Sequence, residues 1–115
     1  MKRKTPKLLD DIRDAAAFIE DAAKGKSLEQ YRTDRLLRQA LERNFEIVGE
    51  AINRLMRDDT DVADQIEHAS VIVGFRNVLA HGYDLIDDEK VWQTIVRDVP
   101  HLRQQVERLL GIGGS

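Results

Sequence analysis

Arg76, His81 and Tyr83 carry the side chains best suited to chemistry in this chain, and they share one octapeptide, Arg76-Asn77-Val78-Leu79-Ala80-His81-Gly82-Tyr83. An arginine and a histidine suffice to break an RNA phosphodiester without a metal. The imidazole moves protons near neutral pH, and the guanidinium grips the charge of a five-coordinate phosphate with two prongs. Tyr83 adds a nucleophilic hydroxyl that another enzyme can modify. Asn77 lies four residues before His81, on the same helical face, and can orient a phosphate, cap a helix or bond between helices.

Plainer roles stand beside these. Arg76 can be a salt bridge to a neighbouring helix, His81 an imidazolium stabilised at a helix C-terminus, and Tyr83 a phenol anchoring a turn. Arg76 and His81 are five residues apart, so on one straight helix they diverge by roughly 140°. Two subunits packing this helix about a two-fold axis would repeat the pair and build a composite groove. His68, His81 and His101 are scattered without zinc-ligand spacing, and Asp84, Asp87 and Asp88 read as a capping, solvated turn. The glycines of Gly111-Ile112-Gly113-Gly114 open no helix and make no phosphate cradle.

The elements that must position the octapeptide are helices. Leu8, Ile12, Ala15, Ala16, Ile19, Ala22 and Ala23 keep three-and-four spacing, predicting a helix over about 7–24 with Pro6 in its first turn and Gly25 as a left-handed stop. Ser27-Leu28-Glu29-Gln30 reads as a capping box opening a second helix. Its stripe runs through Leu37, Leu41, Phe45, Val48, Ile52 and Leu55, widened by Leu36, Ala40, Ile47, Ala51 and Met56, with a break near Thr33-Asp34 and an end at Arg57. Residues 61–68 read as a short helix or turn. A helix from about Ser70 to Gly82 turns Val71, Phe75, Val78 and Leu79 to the core and ends on His81. Asp87-Asp88-Glu89 opens the last helix, which carries Val91, Trp92, Ile95, Val96 and Val99, kinks at Pro100, and resumes with Leu102, Val106, Leu109 and Leu110. Gly49, mid-helix, implies close approach of another helix, either within the monomer or across a subunit interface.

The expected fold is an all-α bundle of about five helices in a single domain over residues 1–115, with 111–115 as a frayed tail. The chain lacks cysteine, which excludes disulfides and thiolate metal sites. Neither a signal-peptide core nor a membrane-spanning run appears, so a cytoplasmic protein with no membrane partner is expected. The net charge of −3 speaks against a nonspecific nucleic-acid coat. Arg32, Arg35, Arg38, Arg43, Arg54 and Arg57 can form a local cationic patch, or solvated faces paired with nearby acids.

The segment Phe75 to Tyr83, with Arg-X4-His-X-Tyr at its centre, resembles the signature of the HepT-like toxins, a branch of the HEPN superfamily. The resemblance extends to Glu46-Ile47-Val48-Gly49-Glu50-Ala51-Ile52-Asn53 and to Val91-Trp92, and one departure is the segment Asp58 to Ser70, which lacks prolines. It implies a HEPN-like helical bundle, a homodimer, and a metal-independent ribonuclease acting as the toxin of a type VII-like toxin–antitoxin pair. It further implies a minimal nucleotidyltransferase antitoxin that transfers AMP from ATP onto the motif tyrosine. Arg76 and His81 would then be catalytic, Asn77 supporting and Tyr83 the AMPylated residue. The toxin itself would hold no cofactor and no metal, since ATP belongs to the transferase. The competing expectation is a binding module without hydrolytic power, an AMP acceptor or accessory subunit for the transferase.

Overall fold

The computed structural model describes residues 1–81 and 87–111, with the backbone alone at Phe75 and at residues 77–81. Helix α1 spans Thr5–Ala23, with Pro6 in its first turn and Gly25 beyond its end at φ +74°. The Ser27 hydroxyl accepts from the Gln30 amide at 3.2 Å while the Gln30 side chain accepts from the Ser27 amide at 2.9 Å, and this capping box starts α2, Leu28–Thr33. Asp34 ends α2 and caps α3, Arg35–Asp58, by accepting from the Leu37 amide at 3.1 Å. The break expected at Thr33-Asp34 is therefore a cap, and α3 runs one residue past the expected stop.

Asp59 caps the single turn α4, Thr60–Ala63, and α5 follows over Ala69–His81. After α5 come α6, Asp88–Gln93, a π-helical turn over Thr94–Asp98, and α7, Val99–Leu109. The π turn has a local cause. Pro100 enters α7 in its first turn and brings no N–H, and the Val99 amide reaches back five residues to the Thr94 carbonyl. The seven α-helical segments among the described residues exceed the five expected because α2, α4 and α6 are pieces of one or two turns.

Helix α1 is the centre of the packing, lying against α3 on one side and α7 on the other, while α5 packs on α3 and α6 on α2. Leu9, Ile12 and Ile19 of α1, Leu41, Phe45, Val48, Ile52 and Leu55 of α3, and Val99, Leu102 and Val106 of α7 fill the core. Arg103 on α7 pairs with Glu20 of α1 and with Glu107, fastening the edge of that contact.

Several apolar positions differ from expectation. Leu36 is 82% exposed and Met56 lies outside the core, so the stripe of α3 is narrower than its sequence suggests. On α5 it is Ile72, not Val71, that enters the core; Val71 is 47% exposed. One residue along a helix is about 100° of rotation, so the inward face of α5 is turned by that much from the expected one. Phe75, Val78 and Leu79, expected in the core, have side chains outside the described set. Val96 is exposed, one residue and about 100° round the helix from the buried Ile95.

Candidate active site

Arg76 sits where α5 crosses α3. A Cβ built on Gly49 would fall 2.6 Å from the Arg76 Cγ and nearer still to its Cβ, far inside van der Waals contact. Gly49 is thus the seat of the Arg76 stem. The close approach implied by this mid-helix glycine is made within the monomer, and it no longer argues for a subunit interface. From that seat the Arg76 guanidinium donates through Nη2 to Glu50 Oε2 at 3.0 Å. Glu50 also accepts from Arg54 Nε at 3.3 Å, one turn further along α3. One carboxylate therefore fixes two guanidiniums, and the half-buried Arg76 is held by the residue next to its seat. The plain role weighed for Arg76, an ion pair to a neighbouring helix, is present in the structure.

Arg76 opens onto a cleft of about 290 Å³ between α1, α3 and α5, lined by Leu8 and Asp11, by Arg43, Glu46, Glu50 and Arg54, and by Arg76 itself. His81 is the last residue of α5, and the helix is α-helical from Arg76 through it. Their backbone positions are then roughly 140° apart around the axis. The side chains of Asn77 and His81 lie outside the described set, as do Gly82 and Tyr83 altogether. Among the described residues no group of three His, Asp or Glu side chains converges as a metal site would require.

The arginines of α2 and α3 largely follow the plainer expectation. Arg43 lies 3.9 Å from Glu46, Arg54 pairs with Glu50, and Arg57 bonds Asp58 at 3.2 Å. Arg38 is more deeply built in. It meets Asp88 with two bonds, at 3.1 and 2.8 Å, pairs with Glu42, and lies 4.8 Å over the ring of Tyr31. Tyr31 is fully buried, stacks on Trp92 with centroids 5.8 Å apart, and donates its hydroxyl to Glu42 at 3.1 Å. Burial and the Glu42 charge push the Tyr31 phenol well above its ordinary pKa. The Arg38 guanidinium holds the Asp88 carboxyl below the usual carboxylate range. Asp88 was expected as a solvated helix-opening charge; it instead fixes the start of α6, with Asp87 serving as the N-cap.

Glu50 and Tyr31 are the residues that sequence reasoning passed over. Glu50 stands in the upstream segment that carries the family resemblance and at i,i+4 spacing to Arg54, but neither points to its contact with Arg76, 26 residues away. Tyr31 sits in a short polar helix and shows its role only through Trp92 and Arg38.

No solved structure matches the chain significantly. Among curated proteins it is similar to a candidate RNase of Caldanaerobacter subterraneus subsp. tengcongensis, 32% identical over 93% of this chain and 96% of the relative. A candidate ribonuclease HepT of Thermococcus cleftensis is 29% identical over 95% of this chain and 98% of its own length. A candidate RNase of Methanocaldococcus jannaschii is 29% identical over 92% of this chain and 96% of the relative. Residues 12–109 match the family described as Ribonuclease HepT-like, and the chain belongs to that family.

Proposed function

We propose that this protein is a metal-independent ribonuclease, the toxin of a type VII-like toxin–antitoxin pair, with Arg76 and His81 as its catalytic residues. The observation that carries this reading is the seating of Arg76. A glycine is spent on its stem and a carboxylate on its guanidinium, on the helix that ends at His81. A surface cation needs neither.

In the reaction, the 2′-hydroxyl of RNA attacks the adjacent phosphorus and the 5′-oxygen of the next nucleotide leaves. His81 takes the proton of the 2′-hydroxyl or delivers one to the leaving 5′-oxygen, with water carrying the other, so that a 2′,3′-cyclic phosphate and a 5′-hydroxyl result, and Arg76 neutralises charge on the phosphorane. Use of the 2′-hydroxyl confines activity to RNA. Asn77 orients the phosphate. The divergence of Arg76 and His81 around α5 favours a site completed by a second copy. The outer face of α5 offers the surface for it, because Val71 is exposed and a Cβ on the exposed Gly74 would meet nothing. A helix apolar on both faces is one that packs on both. Silencing proceeds by transfer of AMP from ATP to the Tyr83 oxygen by a nucleotidyltransferase partner, with release of pyrophosphate.

The test is incubation of purified protein with RNA in chelator. Cleavage is expected from the wild type. Arg76→Ala and His81→Ala should each lose about 10²–10⁴-fold while circular dichroism stays helical. Full cleavage by either variant removes that residue from the site.

A further inference from the structure

We infer that the RNA strand runs from Arg76 along the groove between α1 and α3 toward the N-terminal end of the chain, where its phosphates meet Lys2, Arg3, Lys4, Arg54 and Arg57. This deepens the ribonuclease reading and rests on it. Arg54 and Arg57 lie on the same stripe of α3 as Glu50, one and two turns further on, and both are exposed. Lys2, Arg3 and Lys4 are exposed as well, and the backbone that carries them is held at the end of α3. The Lys2 amide donates to Asp59 Oδ2 at 3.0 Å, and the buried Thr5 hydroxyl donates to the same oxygen at 2.6 Å. Asp59 immediately follows α3, so these two bonds pin a Lys-Arg-Lys run to the end of the helix that bears Arg54 and Arg57.

The charge balance of the groove changes along its length. Around Arg76 the walls hold Asp11, Glu46 and Glu50 against Arg43 and Arg54, which is close to neutral. Toward the end of α3, Lys2, Arg3, Lys4, Arg54 and Arg57 stand against the exposed Asp58, Asp61 and Asp64. Asp59 is 5% exposed and turned inward, where the Lys2 amide, the Thr5 hydroxyl and the Val62 amide donate to it. A carboxylate placed between basic residues would normally cancel their field. Here it is used to position them and is hidden from solvent. The Arg57–Asp58 contact is an exposed pair of neighbouring residues, weak enough to exchange for a phosphate. From Glu50 to the end of α3 at Asp58 the rise is about 12 Å at 1.5 Å per residue, room for about two nucleotides beyond the reacting phosphate. A chain with net charge −3 thereby keeps one cationic track that begins at its candidate catalytic arginine.

The experiment measures steady-state cleavage of a labelled single-stranded RNA in chelator across a salt series. It compares wild type, the double variant Lys4→Gln/Arg57→Gln, the charge-keeping Lys4→Arg/Arg57→Lys, and Arg97→Gln, an exposed cation on the π turn outside the groove. The neutralised variant should raise KM about fivefold or more at low salt with kcat unchanged. Its log–log salt slope should be shallower by about 1.4, two contacts at about 0.7 each for a single strand. The charge-keeping variant and Arg97→Gln should follow the wild type. A neutralised variant with wild-type KM and slope overturns the groove and leaves the ribonuclease reading intact. If the wild type cleaves no RNA, the ribonuclease reading fails, and direct binding of the same strand decides the groove. Weaker binding by the neutralised variant upholds it; equal binding, or none by the wild type, overturns it.

Discussion

The stem of Arg76 occupies the space that a side chain on residue 49 would need. Gly49→Ala brings two opposed effects. Helix propensity favours alanine by about 1 kcal/mol, and overpacking costs about 1–3 kcal/mol. The second wins here, because the atoms met are the Cβ and Cγ of Arg76, next to its backbone and unable to swing aside. A thermal melt should show a fall in Tm of about 5 °C, accompanied by reduced RNA cleavage as the guanidinium is displaced from Glu50. An unchanged or raised Tm contradicts the crossing described here.

Acid should unfold the protein through two carboxylates. The Thr5 hydroxyl and the Lys2 amide lower the Asp59 pKa, and Arg38 lowers that of Asp88. A depressed native pKa contributes stability that is complete above the unfolded value, near 3.8, and is lost as pH falls through the native one. Tm should therefore be flat in these two groups above about pH 5 and drop steeply below about pH 4. Asp59→Asn and Asp88→Asn should each lower Tm at neutral pH and flatten the acid limb. A limb equally steep in both variants would place the acid sensitivity in other groups.

In the proposed dimer the packing surface is the outer face of α5, where Val71 is exposed and a Cβ on Gly74 would meet nothing. Sedimentation at micromolar concentration should give about twice the 13.2 kDa chain mass. Val71→Glu puts a charge in that interface and should shift the protein to monomer, leaving the helical content intact because the residue lies outside the core. Cleavage should fall with the dimer. A clean monomer that cleaves RNA at the wild-type rate sinks the composite site.

Control should map to Tyr83. After co-expression with a cognate nucleotidyltransferase, intact-mass and peptide spectra should show whole AMP units on the peptide containing Tyr83. The phosphate would bring negative charge and bulk to the RNA-binding groove. Tyr83→Phe should stay unmodified and retain cleavage in the presence of the transferase. Additions on another peptide would end the regulatory part of the reading while leaving the nuclease part standing.

The sequence was most legible where local chemistry decides the structure. Gly25, the Ser27–Gln30 box and the Asp34 cap each depend on contacts within a few residues, and each was readable. The face of α5 was not. Its sequence is apolar on nearly every side, so periodicity could not choose between Val71 and Ile72, and the choice was made by packing on α3. The same holds for Arg76. Its motif spacing identified it as a chemical group, but its partner, Glu50, and its seat, Gly49, lie on another helix and follow no local rule. Tyr31 escaped notice because burial in a short polar helix comes from Trp92 and Arg38, which are remote in sequence or belong to the next helix.

The π-helical turn at Thr94–Asp98 amounts to one residue more than an α-helix of the same length needs. A chain shorter by one residue here, and lacking Pro100, would carry Val91 and Leu102 in the same relative orientation on an uninterrupted helix. Loss of one residue at this point would therefore be absorbed by pitch, with the apolar face against α1 preserved. An alignment gap placed between Val91 and Leu102 would signal no change of architecture.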